Sequence, residues 1–139
     1  MLTLICRCSA GFVLLLLLAG CGLSAQPKKE LSSAFKDYAE RLRWRDYPYV
    51  AEYLQPEHRQ EFLQRFSALE GLQVVDARLE AIDFSEADTR ARTSLALEYY
   101  LLPSITVKKA LLHQNWVYQG ADSYHAGVWR IEGPFPPFP

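Results

Sequence analysis

The spacing of apolar residues changes character twice along this chain. Phe12 to Ala19 is an unbroken apolar run of eight residues. From Leu31 the period becomes helical, with Phe35, Tyr38, Ala39 and Leu42 on one face and Lys36, Asp37, Glu40, Arg41 and Arg43 on the other. Ser32 and Ser33 read as N-cap groups of this helix. Asp46 predicts the cap of a short second helix through Val50, Tyr53 and Leu54, with Pro48 tolerated in its first turn. Pro56 opens a third helix with a stripe of Phe62, Phe66 and Leu69, and Gly71 reads as its stop.

After Gly71 the period falls to two. Val75, Ala77, Leu79 and Ala81 alternate with Asp76, Arg78 and Glu80, which predicts a half-buried strand. The apolar phase then slips to Ile82 and Phe84, as a bulge or a strand end requires. Beyond a polar turn at 85–88, Ala91, Leu95, Leu97, Tyr99 and Leu101 face one way, against Arg90, Arg92, Ser94 and Glu98. Pro103-Ser104 breaks that strand. Ile105 to Tyr118 predicts a third strand, 120–127 a loop, and Val128 to Ile131 a fourth strand with Trp129 and Ile131 on one side. Helices followed by long antiparallel strands define an α+β class: N-terminal helices packed on a curved antiparallel sheet.

The order of elements resembles the nuclear transport factor 2-like superfamily, also called ketosteroid-isomerase-like. The opening amphipathic helix with Tyr38, the short helix at Tyr49 to Leu54, the Pro56 to Leu69 helix and the terminal Trp129-Arg130-Ile131 strand carry the resemblance, which spans residues 31–132. It implies a cone-like fold. That superfamily hosts enzymes, ligand carriers and structural lipoproteins, so the fold leaves function open.

Leu18-Ala19-Gly20-Cys21 resembles the lipobox of bacterial lipoproteins, where signal peptidase II cuts before a cysteine that carries a diacylglyceryl group. Arg7 and the apolar run before it fit a signal peptide, and that run is far short of the roughly 18 residues that cross a bilayer. The resemblance implies a signal peptide at 1–20, a lipidated Cys21 with a tether to residue 30, one domain at 31–132 and a tail at 133–139. It also implies a membrane partner, held through the Cys21 lipid. Gly22 is not the aspartate associated with inner-membrane retention, so the expected location is the periplasmic face of the outer membrane.

Cleavage would change the composition in one important respect. Removing residues 1–20 of 139 leaves 119, enough for a self-sufficient core. It also removes Cys6 and Cys8, leaving Cys21 as the single cysteine. No disulfide, thiolate metal site or thiol nucleophile is then expected. Without Arg7 the charge is 14 basic against 16 acidic groups, which offers no broad field for nucleic acid.

Candidate chemistry is sparse. His58, His113 and His125 lack metal-ligand spacing, no G-x-S-x-G elbow occurs, and no cofactor is implied. The resemblance would place an acid–base site between helices and sheet, where Tyr38, Tyr99, His113 and Asp76 are the candidates. Asp76 points outward if Val75 and Ala77 point in, and the phase of β-alternation leaves the face of His113 undecided. Phe35, Tyr38, Phe62, Phe66 and Tyr99 are expected either to line a small apolar ligand pocket or to fill the core. Arg41, Arg43, Arg45, Arg59 and Arg65 are interleaved with acids and read as solvated pairs.

Two features point outward. In a polyproline II tail, Phe135 and Phe138 share a side. They either fold back over the domain or, with Tyr100, offer contacts to an envelope protein partner. Around Glu98-Tyr99-Tyr100-Leu101-Leu102 both strand faces turn apolar, as burial within the domain or a homodimer through the sheet requires. The leading expectation is a lipid-anchored, non-enzymatic interaction or accessory protein of the envelope. A small-ligand module and an isomerase- or hydratase-like enzyme are the alternatives.

Overall fold

In the computed structural model, which describes residues 26–121 and 125–139, three helices pack on one face of an open four-stranded antiparallel sheet. The expected signal peptide and Cys21 lie outside the described residues. The helices are α1 (Pro27–Arg43), α2 (Tyr47–Glu52) and α3 (Pro56–Ser67); the strands are β1 (Leu72–Ser85), β2 (Arg90–Leu101), β3 (Lys108–Gln119) and β4 (Val128–Glu132). The sheet order β1-β2-β3-β4 is that of a meander, in which each strand pairs with its neighbour in sequence. An isolated parallel bridge joins Leu54 to Ile131, with the Ile131 N–H donating to the Tyr53 carbonyl at 2.7 Å and the Gln55 N–H to the Ile131 carbonyl at 3.1 Å.

The predicted stripe of α1 is the buried one: Leu31, Phe35, Tyr38, Ala39 and Leu42. The helix itself begins at Pro27, four residues before the expected start at Leu31. Proline suits a first helical turn, where its missing N–H has no intrahelical partner. Lysines there oppose the helix dipole, and tertiary contacts offset that. The Trp129 Nε1–H donates to the Pro27 carbonyl at 2.9 Å, the Tyr118 hydroxyl donates to Glu30 Oε2 at 2.7 Å, and Lys28 pairs with Asp88 at 3.2 Å. Ser32 is therefore inside the helix, with its hydroxyl bonded to the Lys28 carbonyl, and is not a cap. Asp46 precedes α2 as expected but makes no cap bond, because Arg41 takes its carboxylate at 3.1 Å. Gly71 is not the stop of α3, which ends at Ser67. The chain instead passes the β2 end so closely here that a Cβ would sit 3.1 Å from the Leu102 carbonyl oxygen.

Two bulges re-phase β1. Register shifts fall between Val74 and Asp76 and between Leu79 and Ala81. The first puts Leu72 and Val74 inward and leaves Val75 41% exposed, against expectation. The second puts Ala81 outside and returns Ile82 and Phe84 to the inner side. A bulge adds local twist and bends the strand that carries it. On β2 the inward positions Ala91, Thr93, Leu95, Leu97 and Tyr99 are buried, as is Ala96, whereas Leu101 lies outside the core. The third strand starts at Lys108, because Ile105 and Val107 belong to an exposed connection. Alternation on β3 turns Leu112, Gln114 and Trp116 inward and His113 outward.

The tail folds back. Phe135 and Phe138 are each 5% exposed. Phe135 packs on Phe62 and Phe66, and Phe138 stands edge-on to Tyr99 at 4.5 Å. Arg65 of α3 donates to the carbonyls of Phe135 (3.2 Å), Pro136 (3.0 Å) and Phe138. Replacing Phe138 by Ala is expected to cost about 3 kcal/mol, the usual penalty for truncating a buried phenylalanine, and Arg65→Ala a smaller amount. Urea unfolding of both variants measures this. Stabilities equal to the parent's would mean that the tail does not pack.

Candidate functional site

The helix–sheet interior is where the resemblance would locate chemistry, and aromatic side chains fill it. Phe35 and Tyr38 descend from α1 onto Trp116 of β3, with ring centroids 5.9 and 5.5 Å away, and Tyr53 at the end of α2 meets the same indole at 6.0 Å. Two hydrogen bonds join buried polar groups here, while Gln114 Oε1 has no partner among the described residues. Trp116 Nε1–H donates to Thr93 Oγ1 at 3.0 Å, and Gln114 Nε2 donates to the Tyr38 hydroxyl at 2.7 Å. Full burial raises the Tyr38 pKa well above the tyrosine range, although the Gln114 bond works the other way. The phenol therefore stays protonated at neutral pH, and its neighbour Gln114 has no proton to exchange.

The other acid–base candidates do not join Tyr38. Tyr99 sits under Phe138 in the second aromatic cluster, with Phe66. Asp76 and His113 are on the outer face of the sheet, Asp76 engaged by Arg78 and His113 Nδ1 at 3.1 Å from the Ser94 hydroxyl. The five expected pocket residues thus divide between two clusters. Phe35 and Tyr38 belong to the Trp116 group, while Phe62, Phe66 and Tyr99 pack with the tail. Tyr100 is half-buried on the outer face, opposite Gln73. Among the described residues no three His, Cys, Asp or Glu side chains converge on a metal position.

An open cleft of about 600 Å³ lies between α1, α2 and β4, lined by Asp37, Tyr49, Tyr53, Trp129 and Arg130 among others. Sequence reasoning did not find it, although Asp37 and Arg41 are four apart on one helix. The Tyr53 hydroxyl donates to Asp37 Oδ2 at 2.6 Å, and Arg41 holds the other Asp37 oxygen at 3.5 Å while lying 4.2 Å over the Tyr49 ring. Burial, and then the Asp37 carboxylate that accepts its proton, push the Tyr53 pKa up. Desolvation, with Arg59 nearby, lowers that of Arg130. Asp37 is engaged on both oxygens and Tyr53 holds its proton firmly. The arrangement is an ion-pair and phenol network that fastens α1 to α2.

What remains is surface. The connection from β2 to β3 exposes Leu102 at 50%, Ile105 at 79% and Val107 as well, with Leu111 of β3 also open to solvent. The Leu102 N–H donates to the Gly71 carbonyl at 3.0 Å, which ties this connection to the end of the domain where α3 gives way to β1. Trp44, just beyond α1, is 71% exposed and borders a groove with Leu69 and Glu70 at the same end. Sequence alternation flagged Glu98 to Leu102 as apolar on both faces. Tyr99 is inside, and Leu101 and Leu102 face solvent.

Comparison with protein-family models, curated proteins and solved structures finds no match to this chain.

The phenols yield a pH prediction. The folded-state pKa values of Tyr38 and Tyr53 lie above the value near 10 of an exposed tyrosine. The folded chain then holds these protons more tightly than the unfolded one. Their contribution to stability is complete below about pH 10 and declines as pH rises past it. Burial also shifts Tyr47 and Tyr118 upward, so alkaline titration followed by phenolate absorbance should show a late-ionising group of tyrosines that is smaller by one phenol in Tyr38→Phe.

Proposed function

We propose that this chain is a lipid-anchored lipoprotein of a Gram-negative cell envelope, facing the periplasm from the outer membrane and acting by contact with a partner protein. The filling of the helix–sheet interior by Phe35, Tyr38, Tyr53 and Trp116 is the observation that carries the non-enzymatic part. An acid–base site or an apolar ligand needs space where those rings stand, so the interior counts against both alternatives. The lipobox at Leu18 to Cys21, with its short apolar run, supports the anchor. For the domain we propose a nuclear transport factor 2-like cone. The two bulges that bend β1 and the parallel Leu54–Ile131 bridge at the β4 edge support it.

The contact surface best supported is the β2–β3 connection, since four large apolar residues, Leu101, Leu102, Ile105 and Val107, are exposed within seven positions there. Such patches on a monomer commonly mark interaction sites. The tail phenylalanines have less support in this role because the domain itself buries them. A second copy pairing through this end of the sheet is the homodimeric form of the same reading.

Two measurements test the proposal. Cells expressing the chain and fed radiolabelled palmitate should label it, and Cys21→Ala should abolish the label and release the protein from the outer-membrane fraction. Persistent label in the variant would refute the anchor. In-cell photo-crosslinking from Ile105 should yield a discrete partner band that a probe at buried Phe138 does not. A band at twice the chain's mass would identify a second copy, and no band from Ile105 would remove this surface from the proposal.

A further inference from the structure

The cations of α1 fall into two groups. Arg41 is held by Asp37 and Asp46, and Lys28 by Asp88. Lys29, Lys36 and Arg43 are exposed and form no ion pair with any described residue. Their spacing of seven, about two turns, lines them up along one side of the helix. That side flanks the buried stripe of Leu31, Phe35, Tyr38, Ala39 and Leu42, and Lys36 and Arg43 border a surface groove with Ala77, Arg78 and Leu79 of β1. Ser32, Ser33 and Glu40 share this side of the helix, and Glu40 is the single acid in the row. The row ends at Trp44, with the Arg43 guanidinium 5.9 Å from its ring and Arg45 next to it.

We infer that this side of α1 is a docking surface for an anionic phospholipid membrane, on which the helix lies along its length. Charge complementarity selects the occupant. A row of unpaired lysine and arginine closed by an exposed tryptophan matches an interface that presents phosphates above an apolar layer, where tryptophan and the stems of basic side chains partition. The length of chain before α1 agrees, and in this respect the inference rests on the Cys21 anchor. Residues 22–26 are all that separate the lipidated cysteine from Pro27, a span of at most about 21 Å. The 17 residues of α1 cover about 25 Å. A helix tethered so closely at one end, with Trp44 at the other, can lie flat on the leaflet that holds the lipid. The anchor supplies the local concentration, and each cation adds roughly fivefold to surface occupancy.

The test separates this surface from the anchor. Chain 21–139 contains the whole described core and, with Cys6 and Cys8 gone, a single thiol. A maleimide-phospholipid coupled to Cys21 therefore fixes the protein to vesicles whether or not cells lipidate it. The vesicles carry brominated acyl chains, and fluorescence quenching is read from Trp44, since Trp116 and Trp129 are buried; Trp44→Phe supplies the background. Quenching is expected in phosphatidylglycerol-containing vesicles, with little in purely zwitterionic ones. Surface occupancy should fall by at least about a hundredfold in the K29E/K36E/R43E variant, which alters only exposed positions, and quenching should fade in high salt. Equal quenching on both vesicle types, or quenching unchanged by the triple reversal, would overturn the inference. So would protection of Trp44 in envelope extracts but not on pure lipid, which would assign the face to a protein.

Discussion

Trp116 is the residue on which the packing converges. Its indole receives Phe35 and Tyr38 from α1 and Tyr53 from the end of α2, and its N–H is bonded to Thr93 on the neighbouring strand. A buried indole needs an acceptor for that proton, and leaving it unpaired would cost about 1–3 kcal/mol. Thr93 therefore sets the orientation of the ring, and the ring sets the height at which α1 rides over the sheet. Gln114, two residues away on the same inward face, fixes the Tyr38 hydroxyl in the same way. Two polar contacts thus help set how aromatic side chains from α1, the end of α2 and β3 fit together.

A second cluster closes the other part of the core by a different device. The tail 133–139 has four prolines among its seven residues, so most of its backbone has no N–H to offer and its carbonyls find no ladder. Arg65 resolves this with the one side chain that presents five donors in a planar fork, accepting three of those carbonyls as partners. The phenylalanines can then bury against Phe62, Phe66 and Tyr99 without stranding the backbone between them. The exposed hydrophobic tail that the sequence pattern allowed becomes part of the core.

Periodicity made the element order, the α+β class and the inner stripe of α1 legible, because a helix buries one face and the residues at 31, 35, 38 and 42 announce it. It failed where one residue changes the phase. The bulge at Val75 inverts the start of β1, and nothing in the alternation of Val74 and Val75 says which of two valines turns in. It also failed where a polar group inside is satisfied by a distant partner. Thr93 and Gln114 lie 23 residues and less apart from Trp116, while Gln114 and Tyr38 are separated by 76 positions, a pairing that only the fold brings about. The face of His113 was undecidable from its neighbours, and the register that puts it beside Ser94 decided it. The five pocket candidates Phe35, Tyr38, Phe62, Phe66 and Tyr99 were legible as inward-facing, but not their division into two clusters, and Phe135 and Phe138, offered as partner contacts, are buried.

That division bears on what the fold can do. A cavity in this interior would require removing aromatic volume, and the penalty, on the order of 24 cal/mol per Å³ of void, would reach several kcal/mol for space the size of a small ligand. A domain whose whole stability is of that order holds such a cavity only when something selects for it, and here the rings and their paired polar groups occupy the space instead. Charge is distributed with a comparable economy. Carboxylates accompany Arg41, Arg78 and Arg90, which are held within the domain's own networks. Among the described residues Lys29, Lys36 and Arg43 form no ion pair, as is also true of Arg45, Arg59, Arg65, Arg92, Lys108 and Arg130, but these three share one side of one helix. With its interior filled, the features this domain turns outward are a cationic side along α1 and an apolar connection between β2 and β3.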